Sequence, residues 1–319
     1  MNFKPIIVLG GEPHSIFWEI FIKALKYKKY KSPIILIGSF KLLKFYAKKL
    51  NYNLNVKILK NHSVEIKDIE KNRLNIIDIK FIKNKSKKKL VSTNKLIKKT
   101  FEIALMLLKN KITNKLLNGP INKKRFLNRR YLGITEYLAE KANSKNFAML
   151  IYNKKISVCP LTTHLPLRYV SKQINKKLIV TKVELINNFY KNYLKIIPNI
   201  AITGLNPHCE SIDAYNEDEK IIVPSVKILK KKGINISGPY PADTIFMKKN
   251  RSKFNIIIGM YHDQILTPIK TLFEFDAINI TLGLPFIRVS PDHGPNEKMV
   301  GKNLSNPLSL IRALQFLDN

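Results

Sequence analysis

The chain is punctuated by short apolar runs that stop abruptly in turn residues, and this pattern narrows the fold more than any other feature. PIIVLG (5–10), PIILIG (33–38), NIAITGL (199–205) and NIIIGMY (255–261) each read as a buried strand. VKILK (56–60), KLLNG (115–119), FAMLIYN (147–153), ISVCPLT (156–162) and AINITLGLPFIRV (277–289) extend the series. Between them, apolar residues recur at helical spacing in WEIFIKALKY and over 92–110, 136–144, 180–194, 217–232 and 305–317. Strands alternating with helices predict an α/β fold with a largely parallel sheet. The 319 residues suit two domains or one large one, since a domain runs to about 150 residues. No Gly/Ser-rich linker marks a boundary, so two domains would be joined by more than one crossing.

Lysine and arginine number 57 against 22 acidic residues, a formal charge of +35. Such a charge first suggests nucleic acid or an anionic surface. Only eight of the basic residues are arginine, however, and readers of phosphate and guanine enrich arginine for its planar fork. Lys, Ile and Asn fill the permissive positions, as drift toward A/T-rich codons would leave them. The densest run, KNKSKKKL at 83–90, reads as a solvated loop. Lysine-driven nucleic-acid binding is therefore the weakest of the functional readings. Hydrophobic residues make up 45% of the chain, enough for a core and too many for a disordered basic tail. The two cysteines, Cys159 and Cys209, cannot form a disulfide framework and fit a reducing compartment. MNFKPIIVLGGEP reads as a strand entering a turn, not as an export signal. No apolar run reaches the roughly 18 residues of a membrane span. A cytoplasmic protein without a membrane partner is expected.

Four of the six histidines share a placement. His164 follows ISVCPLTT, His208 follows NIAITGLNP, His262 follows NIIIGMY and His293 follows FIRVSPD. Each lies just past the carboxyl end of an expected strand, where open α/β sheets place their sites. A lone histidine there would more often be structural; four together point to a metal or acid–base site. The gaps of 44 and 54 residues match no compact metal motif.

Groups suited to an anion accompany them. Lys270 follows His262 by one helical segment, and Arg288, one of few arginines, lies in a well-patterned strand. Thr135 sits in the turn GITE, where its hydroxyl would cap the following helix or hold a phosphate; the cap is the simpler reading. Neither G-x-G-x-x-G nor G-x-x-x-x-G-K-[ST] occurs.

NGPINK (118–123), LTTHLPLR (161–168), GLNPH (204–208), SGPYPADT (237–244), MYHDQ (260–264) and NITLGLPFIRVSPDHG (279–294) closely resemble the 4-hydroxythreonine-4-phosphate dehydrogenase family of vitamin B6 biosynthesis. GEP at 11–13 is similar to its N-terminal motif, so the likeness spans nearly the whole chain. The resemblance implies a metal-dependent, NAD- or NADP-linked oxidation of 4-phosphohydroxy-L-threonine. Its product, a β-keto acid, decarboxylates to 3-amino-2-oxopropyl phosphate on the way to pyridoxal phosphate. The family's metal histidines (for Zn, Mg or Co) map to His164, His208 and His262, and its phosphate-site residues to Thr135, Lys270, Asn279 and Arg288. Asp243 in PYPADT is a candidate for metal or proton duty, or a plain helix cap. The implied fold is that of isocitrate and isopropylmalate dehydrogenases, two α/β/α domains with a central cleft and no Rossmann fingerprint. In that fold the cofactor-side domain covers 1–125 plus 285–319. The metal, the substrate and the interface of a homodimer with a shared active site fall to 126–284.

The departures from the family pattern are local. G-H-T-E reads GITE, with Ile134 in place of a histidine. G-E-P-A-G-I-G-P-E reads GEPHSIFWE, placing Ser15 and Phe17 where glycines are expected and crowding that turn with Phe17 and Trp18. D-H-G-T-A-F-D-I-A-G reads DHGPNEKMVG, so the cofactor loop holds His293, Gly294, Glu297 and Lys298. The acid expected near the adenosine ribose is then Lys298, which favours a 2′-phosphate, unless Glu297 serves one place earlier. These changes leave a second reading open, a metal-dependent binder of a phosphorylated ligand that has lost dehydrogenase activity.

Overall fold

A computed structural model describes residues 3–60, 64–80, 88–127, 130–131, 133–212 and 214–318; His62 and most of the 83–90 lysine run fall outside them. The strands, in chain order, are β1 (Ile6–Leu9), β2 (Ile34–Gly38), β3 (Val56–Ile58), β4 (Leu74–Asp78), β5 (Lys115–Asn118) and β6 (Ala148–Tyr152). They continue as β7 (Ser157–Thr162), β8 (Ile200–Thr203), β9 (Ile236–Tyr240), β10 (Ile256–Tyr261), β11 (Ile278–Leu282) and β12 (Ile287–Pro291). The chain is a mixed α/β protein whose contacts separate it into two units, 1–134 with 285–319, and 135–284.

In the first unit the strand order is β3-β4-β2-β1-β5-β12, with every pair parallel. Helix Phe17–Tyr27 packs against helices Phe40–Lys49 and Leu308–Leu317. All four residues of β1 and all five of β2 are buried, which is why they read as unbroken apolar runs rather than alternating ones. Trp18 and Phe17 are fully buried at the start of helix Phe17–Tyr27. A Cβ at Gly10 would lie 2.9 Å from Trp18 Cη2 and one at Gly38 3.0 Å away, while one at Gly119 would collide with the Phe17 ring. The crowding expected of these aromatics is thus a packed contact, with bare glycine backbone beneath the rings. Ser15 supports the turn by donating from Oγ to the Glu12 carbonyl (2.7 Å) and accepting from Phe17 N–H (3.3 Å).

In the second unit the order is β11-β6-β7-β10-β8-β9. The pairs β7–β10, β10–β8 and β8–β9 are parallel, whereas β6 runs antiparallel to both β11 and β7. Helix His262–Phe273 buries Ile265, Leu266 and Ile269 in a cluster with Met149, Ile151, Val158 and Ile257.

The stretch 277–289 is two strands rather than one, because Gly283 takes φ +87° and its Cα approaches the Asn146 carbonyl too closely for a side chain. β4, β9 and helix Phe40–Lys49 were not anticipated; β9 is ISGPY, whose Gly and Pro argue against a strand.

Candidate active site

In the second unit, three histidines stand at the carboxyl ends of three neighbouring parallel strands. β7 ends at Thr162, two residues before His164; β8 ends at Thr203, ahead of the turn Pro207–Cys209 that holds His208; β10 ends at Tyr261, and His262 opens the following helix. The register pairs Tyr261 with Thr162, which sets His262 beside His164 with ring centroids 5.7 Å apart. His164 and His208 both adopt left-handed backbone, φ 38° and 55°, a conformation costly for a side-chain-bearing residue outside functional turns. Among the described residues, no three His, Cys, Asp or Glu side chains are gathered into a metal cage. The structure brings His164 and His262 together and leaves His208 on its own turn.

Local bonds hold these groups. His262 Nδ1 lies 2.6 Å from Asp263 Oδ1, so the carboxylate favours a proton on Nδ1 and leaves the lone pair on Nε2. The loop before His208 is fixed by the buried Asp218, whose carboxylate accepts from Leu205 N–H (2.9 Å) and Asn206 N–H (3.1 Å). Burial, followed by the charge of Asp218, pushes the Cys209 thiol up to about 11, so it is not a nucleophile near neutral pH. Asp243, among the charges that also raise it, is exposed and is the second residue of helix Ala242–Ile245, behind Pro241 at the cap. The capping role considered for Asp243 therefore does not apply.

The anion candidates divide between the units. Thr135 is the second residue of helix Ile134–Lys141, so its hydroxyl does not cap that helix; it meets Thr281 Oγ1 at 3.3 Å. Thr281 and Asn279 are two apart on β11 and share a face. Asn279 Oδ1 is buried without a hydrogen-bond partner, and so is Glu136 Oε2, whose sister oxygen accepts from Thr163 Oγ1 at 3.5 Å. Each such orphan costs about 1–3 kcal/mol unless a ligand supplies a donor. Lys270 is half-buried, about two turns along the helix that His262 opens. Lys182, close to Glu136 in charge terms, donates to the Leu161 carbonyl at 2.8 Å, and burial lowers its pKa.

In the first unit, Arg288 is 3% exposed on β12 and donates from Nε to Asn118 Oδ1 at 2.6 Å. Beyond β12, His293 Nδ1 sits 3.1 Å from the Gly294 carbonyl, and the space where a Gly294 Cβ would stand is open. Lys298 is exposed. Glu297 accepts from Arg125 Nη1 at 2.7 Å.

Glu136, Thr281, Asp263 and Arg125 were not singled out from the sequence. Thr281 was legible as the same-face neighbour of Asn279, and Asp263 as the carboxylate beside a candidate ligand. The other two declare themselves only through tertiary contacts.

The sequence model for the family described as "Pyridoxal phosphate biosynthetic protein PdxA" matches residues 29–317. The chain belongs to the PdxA family. It is 40% identical over 312 residues to the 4-hydroxythreonine-4-phosphate dehydrogenase of Sulfurihydrogenibium sp. (strain YO3AOP1), covering 96% of this chain and 95% of that protein. The enzyme of the same name from Aquifex aeolicus is 33% identical over 322 residues, covering 100% of this chain and 98% of that one. A crystal structure of the Klebsiella pneumoniae 4-hydroxythreonine-4-phosphate dehydrogenase superposes with a TM-score of 0.81 at 26% identity, covering 99% and 97% of the two chains. The PdxA match agrees with the family resemblance carried by the motifs. No helix among the described residues is long and apolar enough to cross a membrane.

Proposed function

We propose that this PdxA-family chain is a metal-dependent 4-hydroxythreonine-4-phosphate dehydrogenase. The observation that carries the reading is the facing pair His164 and His262 at the carboxyl ends of β7 and β10, with Asp263 on Nδ1 of His262. The imidazoles of His164 and His262, with a third on the His208 turn, are a donor type that suits Zn2+ or Co2+ better than Mg2+, which prefers oxygen. Bound there, the metal would polarise the substrate C3 hydroxyl and stabilise the negative charge that loss of CO2 leaves behind.

Each residue has its own task. His164, His208 and His262 hold the metal, and Asp263 keeps His262 in the tautomer that presents Nε2. Thr135, Lys270 and Asn279 in the second unit and Arg288 in the first are the phosphate candidates, with Lys270 and Arg288 supplying charge. The orphaned Glu136 Oε2 and Asn279 Oδ1 suit a substrate that brings its own donors, as an amino acid with a free hydroxyl does. Asp243, near the His208 turn, is the group for proton duty. A nicotinamide dinucleotide, when bound, would supply the hydride acceptor; His293, Gly294 and Lys298 of the 292–300 loop would hold it, and the space above Gly294 admits close backbone approach.

The protein acts in the cytoplasm as a homodimer with a shared active site. The segments following His164 and His208 expose Leu167 (68%), Tyr169 (41%), Ile212 (106%) and Tyr215 (56%), the kind of apolar surface that a second copy covers.

Incubation with 4-phosphohydroxy-L-threonine and NAD or NADP is expected to yield reduced nicotinamide and to stop on chelation. Metal and substrate binding without turnover on either dinucleotide would favour the inactive phospholigand binder instead. Asp263→Ala is expected to weaken metal affinity about 10- to 100-fold, the usual effect of removing a carboxylate behind a ligating histidine. Competitive titration with a metal indicator reads this directly, and an unchanged affinity would remove Asp263 from the metal site.

A further inference from the structure

Three segments in the first unit converge on one guanidinium. They follow β1, β5 and β12, which are neighbours in the sheet, and their contributions are Glu12, Asn122 with Arg125, and Glu297. Arg125 Nη1 reaches Glu297 Oε1 at 2.7 Å and Glu12 Oε1 at 3.4 Å. Asn122 adds its backbone N–H to Glu12 Oε2 (2.9 Å) and its Nδ2 to Glu297 Oε1 (3.4 Å), and its Oδ1 accepts from Arg125 N–H (3.2 Å). Glu12 is 2% exposed. Burial and the Glu297 charge both raise its pKa, while Arg125 opposes them. Without the guanidinium, two carboxylates would face each other at the base of the loop, so its removal brings repulsion as well as a lost ion pair.

We propose that Arg125 is a specificity-determining positioning residue that draws the Glu297 carboxylate to the base of the 292–300 loop, leaving the exposed Lys298 to select a 2′-phosphorylated nicotinamide dinucleotide. This rests on the reading of that loop as the cofactor loop. Glu297 and Lys298 are adjacent, and the sign of the charge near the ribose decides between the two dinucleotides. A carboxylate held by Arg125 and Asn122 is partly neutralised and fixed in place, whereas the ammonium of Lys298 stands on an exposed turn.

The test is calorimetric titration of the full-length protein with NADP and with NAD, alongside amide hydrogen exchange of the 292–300 segment without ligand. The wild type is expected to bind NADP roughly tenfold more tightly, the effect of one charge-assisted contact. Arg125→Met should speed exchange in the segment and bring the two affinities to within about twofold, while Arg125→Met/Glu297→Gln restores the NADP preference. Unchanged exchange in Arg125→Met overturns the latch, and an unchanged affinity ratio in that variant overturns its role in selection. Preference of the wild type for NAD overturns the assignment of Lys298. Faster exchange in Arg125→Met from a wild type that binds neither dinucleotide overturns the cofactor-loop reading itself and leaves the latch standing.

Discussion

Replacing His164 by asparagine will lower kcat/KM for 4-phosphohydroxy-L-threonine by about 10³, because metal polarisation of the reacting hydroxyl supplies several kcal/mol of transition-state stabilisation. Asparagine is the informative choice. His164 sits at φ 38°, and alanine there would add left-handed backbone strain of about 1–2 kcal/mol and confuse folding with function. Asparagine tolerates that conformation but lacks the imidazole nitrogen, so the unfolding midpoint should stay close to that of the wild type. Metal content by mass spectrometry and steady-state kinetics at saturating metal form the pair of measurements. Activity within tenfold of wild type, with metal retained, would show that the His164–His262 pair is not the metal site.

How much of this was legible in the sequence follows from which contacts are local. β1, β2, β7, β8 and β10 are buried along nearly their whole length, so they appear as unbroken apolar runs, and the histidines that follow them could be placed at strand ends at once. β4 was hidden by Asn75, whose buried side chain holds the Ile34 and Glu70 carbonyls, a role that no period-two pattern reveals. Thr135 looked like a cap because GITE opens a helix; its true partner, Thr281, lies 146 positions away and follows only from the placement of β11. The lysine excess obscured the electrostatics in the same way. The informative charges are the few acids that hold backbone amides or cations, such as Asp218 at the His208 turn and Glu12 beneath Arg125, and composition counts them no differently from the rest.

The aromatic pair at the start of helix Phe17–Tyr27 leads to the second large effect. Trp18→Ala is expected to destabilise the protein by about 3–5 kcal/mol, the usual loss for a buried indole whose surroundings cannot collapse. Collapse is blocked here because the ring lies over the backbone of Gly10 and Gly38, where strand carbonyls and amides are already committed to neighbouring strands. Loss of the edge-on contact with Phe17, at 5.3 Å and 83°, is part of that sum. The indole also carries a cost, since Trp18 Nε1 is buried without a hydrogen-bond partner. Trp18→Phe removes that orphan and keeps most of the ring, so its change should stay within about 1.5 kcal/mol of wild type. Urea unfolding with both midpoint and slope recorded separates the two variants. Equal midpoints for Trp18→Ala and wild type would mean that the rings do not fill the space over the carboxyl ends of β1 and β2. The space left by Trp18→Ala lies against the Phe17 ring and the backbone of Gly10 and Gly38, so added indole should bind it and recover part of the lost stability, increasingly with concentration. Recovery by indole but not by a nicotinamide dinucleotide is the expected outcome, because a space shaped by Phe17, Gly10 and Gly38 offers an apolar ring a fit and a pyrophosphate no charge.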